Sequence, residues 1–473
     1  MDYKPTIGLE VHVELKTATK MFCNSKNDPD EKNPNVNICP VCLAHPGTLP
    51  VPNKKAIEHV IRVGLAVGGK IADYTEMDRK NYFYPDIPKG YQLSQYKYPL
   101  VTGGELAGVS LTRIHIEEDT ARSIHDQKTG ESLVDFNRAG VPLMELVTEP
   151  VITSAKQAAD FAKELQLLLS PLYLNVSEAN MEKGELRVEA NISVRSDLKD
   201  APRSDLGVKV EIKNLNSFRA VERATEFEIK RQIELLEKGE PVVQETRGWD
   251  ENKEITFSQR LKESSHDYRY FPDPDIPKLW LSKIPEFQNL KATLPELPDI
   301  KRERYQKDFG LKPEDVEVFV TDSKMSTLFE GGAKELSGEE IKTLANYLIS
   351  DLMGLVKNEA VKVWPKSEDL AELVKMINGG EVSSRGAKDI LAALVTEGGA
   401  PRDIAQARGL FQKSDEGELV KIIEQVISEN NKQFADLKAG NEKVLQFLIG
   451  QGMKLSKGSA NPSVLADLLR KKI

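Results

Sequence analysis

Ile7, Leu9, Val11, Val13 and Leu15 alternate with Gly8, Glu10, His12 and Glu14, a two-residue period that fits a strand and not a helix. Such a strand buries one side and leaves the other wet, and here the wet side carries carboxylates and an imidazole. The pattern returns twice. Leu186, Val188, Ala190, Ile192 and Val194 alternate with Glu185, Arg187, Glu189, Asn191, Ser193 and Arg195, and Val208, Val210 and Ile212 oppose Lys209, Glu211 and Lys213. Strands of this kind predict an antiparallel or mixed sheet whose charged side is a candidate floor for an ionic ligand.

Apolar residues at three- and four-residue spacing predict helices over 53–68, 153–171 and 217–238, with Thr153 and Ser217 as N-caps. A proline-rich stretch from Pro272 to Pro298 then reads as the exit from a first, large domain ending near residue 292. Beyond residue 300 the stripes are helical: Ile341, Leu344, Leu348 and Leu352, then Leu370, Leu373, Val374 and Ile377. After Gly398-Gly399 a third block begins, with stripes around Leu419, Val444 and Val464. The fold class is therefore α+β, a mixed or antiparallel sheet domain followed by all-α parts.

The formal charge of the 473 residues is -9, but residues 438 to 473 alone carry +5 and the remainder -14. A basic end on an acidic body suits local contact with a polyanion, and a solvated helix face is the competing reading. No window approaches the ~20 apolar residues of a membrane span, and Met1-Asp2-Tyr3-Lys4-Pro5 lacks a signal-peptide layout, which predicts a soluble cytoplasmic protein without membrane partners. Three cysteines in so long a chain exclude a disulfide framework.

Cys39-Pro-Val-Cys42 has the gap that lets two thiolates reach one tetrahedral zinc, with Cys23 a third candidate ligand and His45 a fourth. The alternative is a relic that folds without metal. Gly64 to Ile71 nearly spells a phosphate-binding loop, but it lacks the hydroxyl after Lys70 and closes a helix instead of opening one. The acids carry more information. Glu10 and His12 share a strand face, Glu117, Glu118 and Asp119 end another strand, Glu145 alternates with Leu143 and Val147, and Glu185 and Glu189 lie on a third polar face. Hard oxygen ligands converging from several strands suit Mg²⁺ holding ATP phosphates, and Arg79, Lys80, Lys209 and Lys213 could neutralise the same phosphates. Unrelated ion pairs on a sheet surface are the alternative.

Seven ordered segments, Ile7 to His12, Met77 to Asp86, Ile114 to Asp119, Asp135 to Pro142, Glu211 to Arg219, Glu245 to Asp250 and His266 to Pro272, are similar to those of the B subunit (GatB) of the tRNA-dependent amidotransferases. The resemblance covers nearly the whole chain. It implies a cradle domain over 1–292 that binds ATP and Mg²⁺, a helical domain over 293–405 and a YqeY-like tail over 406–473. It further implies that the cradle phosphorylates the side-chain carboxylate of Glu or Asp misacylated onto tRNA, after which ammonia displaces phosphate to give Gln-tRNA or Asn-tRNA. The metal ligands carry over onto Glu10, His12, Glu118 and Glu145, and a phosphate-contacting, catalytic lysine onto Lys80, with Glu185 and Glu189 as further catalytic candidates. Strict alternation favours Glu117 over Glu118; a bulge at the strand end would bring Glu118 in, and the resemblance ranks Glu118 first.

The chemistry is sound independently, because a carboxylate is inert to ammonia until phosphorylation supplies a leaving group. No Ser-Ser-Lys amidase signature is present, so the resemblance implies a heterotrimer with a glutaminase (amidase) partner, the A subunit, together with a small C subunit. The tail would bind tRNA through Lys454, Lys457, Arg470, Lys471 and Lys472. Two positions depart from the family pattern: Ser25 stands where a further cysteine is usual, and Glu189 where Asp is usual. A non-catalytic tRNA-binding scaffold is the rival reading, and a stand-alone ligase is disfavoured by the missing ammonia source.

Overall fold

The computed structural model describes residues 3–126, 128–196, 206–261, 268–412, 416–456 and 460–473. The chain forms two compact units, Met1–Pro298 and Asp299–Ile473. The first unit is built on β1 (Tyr3–Glu14), α1 (Lys54–Ala66), β2 (Lys70–Ile71), β3 (Val101–Thr102), β4 (Val109–Glu118) and β5 (Pro142–Thr148). Then come α2 (Ala155–Leu169), β6 (Leu186–Ser196), β7 (Val210–Leu215), α3 (Phe218–Glu237), β8 (Glu245–Asp250) and β9 (Ile255–Leu261). A ten-stranded sheet runs in the order β9-β8-β7-β6-β1-β5-β4-β3-β2, with a short Glu105–Leu106 strand on β4. The β7–β8 pair is parallel and the others are antiparallel, so the sheet is mixed.

β1 lies between β5 and β6, and its alternation decides which way the sheet faces. Ile7, Leu9, Val11, Val13 and Leu15 are buried, as are Leu186, Val188, Ala190 and Ile192 of β6, in one core that also takes residues of α1, α2 and α3. A one-residue slip of β1 would expose its four apolar side chains Ile7, Leu9, Val11 and Val13 at about 1.5–3 kcal/mol each, which fixes the opposite face as the charged one. The helices start at side-chain caps. Asn53 accepts from the backbone N–H groups of Lys55 and Ala56, and Ser217 from that of Ala220. The cap of α2 is Ser154, whose hydroxyl accepts from the Gln157 N–H, rather than Thr153; the Thr153 N–H donates to the Gln157 side chain instead. After α1 the backbone turns through Gly68 at φ +68°, a conformation that excludes most side chains and accounts for the glycine pair there.

A smaller three-stranded sheet places Asp78–Asn81 between Tyr91–Ser94 and Phe271–Pro272. Arg79 and Asp273 tie it together at 2.6 Å, and Arg79 also reaches Asp275 at 3.0 Å. The second unit is helical. Its last four helices, Glu416–Glu429, Asn431–Lys438, Lys443–Leu455 and Pro462–Lys471, enclose their own core of Leu419, Ile423, Val426, Leu448, Leu465 and Leu469. No helix among the described residues is long and apolar enough to cross a membrane.

Candidate active site

Adjacent strands align their polar residues directly across the sheet. His12 faces Glu145 of β5 and Arg187 of β6, Glu10 faces Glu189, and Glu145 in turn faces His115 of β4. Glu117 lies opposite Leu143, and Glu211 of β7 opposite Asn191. Five neighbouring strands thus put carboxylates, imidazoles and cations on one face, where they line a cavity of about 450 Å³ together with Lys80, Lys213, Arg113, Asp119, Tyr96, Tyr268 and Tyr270.

The ligand atoms of Glu10, His12 and Glu145 lie within 4.8 Å of one another, as do those of His115, Glu117 and Glu145 and those of Glu10, Glu189 and Glu211. His12 Nε2 is 3.4 Å from Glu145 and 3.8 Å from Glu10, and His115 Nε2 is 3.3 Å from Glu145. Burial lifts the Glu10 carboxyl to about 7, and the charge of Glu145 pushes the same way. For His12, burial alone would lower the imidazole; the hydrogen bond and charge of Glu145, joined by Glu189 and Glu10, outweigh it and bring it to about 9. Burial would raise Glu145 too, but His115 and His12 hold it well below the usual carboxylate range. A carboxyl lifted mainly by burial, with further acids beside it, fits a divalent cation, whose charge would offset both, and the Glu10 and Glu145 oxygens are the hard ligands Mg²⁺ takes.

The cations are placed among the acids. Lys80 Nζ lies 3.4 Å from Glu117, Lys213 Nζ 2.8 Å from Glu189, and Arg187 2.6 Å from Asp119. Although burial opposes the charge on Lys80, Glu117 leads a set of groups that raises it well above its ordinary value.

Glu118 is the main correction. β4 and β5 stay in regular register through Pro142–Glu118 and Leu143–Glu117, and the only irregularity of that pair is at Val147/Thr148, so no bulge turns Glu118 inward. It points to the other face, paired with Lys89 at 2.6 Å and accepting from the Leu93 N–H at 2.9 Å. Glu185 also falls outside the cavity lining; it precedes β6, and its carboxylate accepts from the Asn180 N–H at 3.0 Å. Lys209 precedes β7, is exposed and is not among the lining residues. Arg79 is held by Asp273 and Asp275. Glu211 and Arg187, placed by the sequence only on the charged face and given no role, line the cavity, and so do the tyrosines, which were not expected there. The first two are signalled by the alternation of β6 and β7, and the tyrosines only by segments far apart in the chain.

On the far side of β4, the sulfurs of Cys23, Cys39 and Cys42 lie within 4.8 Å of one another, with 3.8 Å between Cys39 and Cys42. His45 lines the neighbouring pocket but does not belong to that cluster, because its loop turns back through its own N–H to Pro40 O. Ser25 Oγ, 3.8 Å from Cys42 Sγ, stands beside the sulfurs instead. Three thiolates fit zinc with one further donor, which the Ser25 hydroxyl or water would supply. Gly140, at φ +83°, packs between this cluster and β4: a side chain there would meet Lys20, Cys42 and Glu118 at 3.7–3.8 Å.

In the second unit Lys454, Arg470, Lys471 and Lys472 are exposed. Arg470 pairs with Glu442 at 3.4 Å and Lys472 with Glu424 at 3.0 Å. Lys457 lies outside the described residues.

The sequence profile of the GatB/GatE catalytic domain matches residues 5–284, and that of the GatB domain matches residues 327–473. Among curated proteins the chain is similar to the B subunit of the aspartyl/glutamyl-tRNA(Asn/Gln) amidotransferase of Gloeothece citriformis, 42% identical over 100% of this chain and 98% of that one. The proteins of the same name from Persephonella marina and Caldanaerobacter subterraneus are each 44% identical, over 99% and 100% of both chains respectively. With both profiles in order and full-length relatives above 40% identity, the chain belongs to the B-subunit family of the aspartyl/glutamyl-tRNA(Asn/Gln) amidotransferases.

Proposed function

We propose that the cavity phosphorylates the side-chain carboxylate of Glu or Asp carried by tRNA(Gln) or tRNA(Asn), and that ammonia then converts the product to Gln-tRNA or Asn-tRNA. The observation that carries this reading is the convergence of Glu10, His12 and Glu145 with Lys80, Glu117, Lys213 and Glu189 on one cavity. A carboxylate oxygen of the substrate attacks the γ-phosphorus of ATP and ADP leaves; ammonia adds to the resulting acyl phosphate and inorganic phosphate departs. Mg²⁺, when bound, offsets the charge on the phosphoryl oxygens. Glu10, His12 and Glu145 would hold that ion. Lys80 and Lys213, close to the acids but cationic, would bind the phosphates, and Glu117 and Glu189 hold those two lysines in place until the anion arrives. Three cysteines would hold a structural zinc.

Ammonia comes from a partner, a glutaminase (A) subunit joined with a small C subunit in a cytoplasmic heterotrimer. In this assembly the 1–292 cradle does the chemistry, 293–405 connects, and 406–473 grips tRNA through Lys454, Lys457, Arg470 and Lys471. The test is to trap the acyl phosphate. In the reconstituted complex, hydroxylamine without glutamine should yield the aminoacyl hydroxamate on charged tRNA only when ATP and Mg²⁺ are present. Hydroxamate formed equally without ATP, or none formed with it while glutamine supports amidation, would favour the non-catalytic scaffold.

A further inference from the structure

One wall of the cavity is aromatic. Tyr96 and Tyr270 stack in parallel, with ring centroids 4.6 Å apart and planes at 12°. Tyr268 meets Tyr270 edge-on at 6.2 Å and Tyr82 at 5.8 Å, so the rings brace one another. The backbone under Tyr96 is pinned as well, its N–H donating to the buried Asp78 carboxylate at 2.8 Å. Although Tyr270 covers one ring face, Tyr96 keeps 54% of its surface exposed, so among the described residues its other face is open beside the cavity. Lys80 joins this wall to the acids, its Nζ 5.5 Å from the Tyr268 ring and 3.4 Å from Glu117.

A rigid ring with one free face, next to cations suited to phosphates, is the arrangement that stacks a nucleobase. The nearest amides are already committed. Gln92 donates to Glu118 O and Glu117 and accepts from Tyr82, while Gln95 donates to Thr75 and accepts from the Ile116 N–H. These two amides are therefore not free to read a base edge, and the contact that this wall offers is the flat face of the ring.

We propose that Tyr96, backed by Tyr270, is the stacking platform for an adenine ring whose nucleotide reaches into the cavity. This rests on the phosphoryl-transfer reading, which provides two adenines: that of ATP and that of the 3′-terminal adenosine of charged tRNA. Both share the chemistry, and the experiment separates them.

In the assembled complex, Tyr96→Ala, Tyr96→Phe and Tyr96→Trp are compared for binding of a non-hydrolysable ATP analogue with Mg²⁺ by calorimetry and for KM of charged tRNA. Loss of one base stack should weaken one of the two at least about fivefold in the Ala variant, while Phe and Trp stay within about twofold of wild type. A change confined to the analogue assigns the ring to ATP, and one confined to tRNA assigns it to the terminal adenosine. The platform is overturned if the Ala variant binds both normally, if Phe is as impaired as Ala, or if Trp fails to rescue. Wild type that binds no analogue would instead overturn the phosphoryl-transfer reading, and the assignment to ATP with it.

Discussion

Glu117 and Glu118, adjacent in sequence, serve opposite faces of β4: Glu117 lies 3.4 Å from Lys80 in the cavity, and Glu118 lies 2.6 Å from Lys89 beside the cysteine cluster. Their substitution should have different consequences. Glu117→Ala also removes the carboxylate partner of a largely buried lysine and should lower stability, but in addition it should lower amidation per folded molecule. Glu118→Ala leaves the partly buried Lys89 without its carboxylate and should cost about 3 kcal/mol of stability, with amidation falling only as far as the folded fraction does. Thermal melts beside specific activity separate the two, and the reverse pattern would return Glu118 to the metal site.

The same pair shows what is legible in a sequence. Period two is a local signal, so the faces of β1, β6 and β7, and with them Glu10, His12, Glu189 and Lys213, can be read from the chain. Alternation also points to Glu117, whereas resemblance favours Glu118, and the regular β4–β5 register decides for alternation. Glu185 escapes the same rule because it sits one residue before β6, where a turn claims its carboxylate. The tyrosine wall is not legible because Tyr96 and Tyr270 meet only through the small sheet that joins Phe271–Pro272 to Asp78–Asn81.

That small sheet depends on one buried ion pair. The Asp273 side chain has no exposed surface and Arg79 binds it at 2.6 Å, so Asp273→Ala leaves a largely buried guanidinium short of its main partner. Stability should fall by about 3 kcal/mol, read as a lower unfolding midpoint in denaturant. A midpoint shift under about 0.5 kcal/mol would mean the pair is replaceable by solvent.

Zinc is testable by stoichiometry. Purified wild type should carry about one zinc per chain and Cys42→Ser should lose it, whereas Ser25→Cys should bind it more tightly against a chelator. A folded, metal-free wild type would make the three sulfurs a site without its metal.

The basic end should act through phosphates. Lys454→Glu combined with Arg470→Glu and Lys471→Glu should weaken tRNA binding and lower the slope of log Kd against log salt by about one for each phosphate no longer neutralised. Glutamine hydrolysis without tRNA should not change. An unaltered salt slope would leave these residues as a solvated helix face.

Glu145 is the residue on which the cavity turns, since His12, His115 and Arg113 all converge on it. Glu145→Gln keeps its size and removes its charge. The most direct measurement is the rate of ATP-dependent amidation of charged tRNA by the reconstituted complex carrying this one change. The account predicts a fall of about 100-fold or more, with tRNA affinity and glutamine hydrolysis retained. Amidation near the wild-type rate would contradict it and reduce the carboxylates to ion pairs on the surface of a sheet.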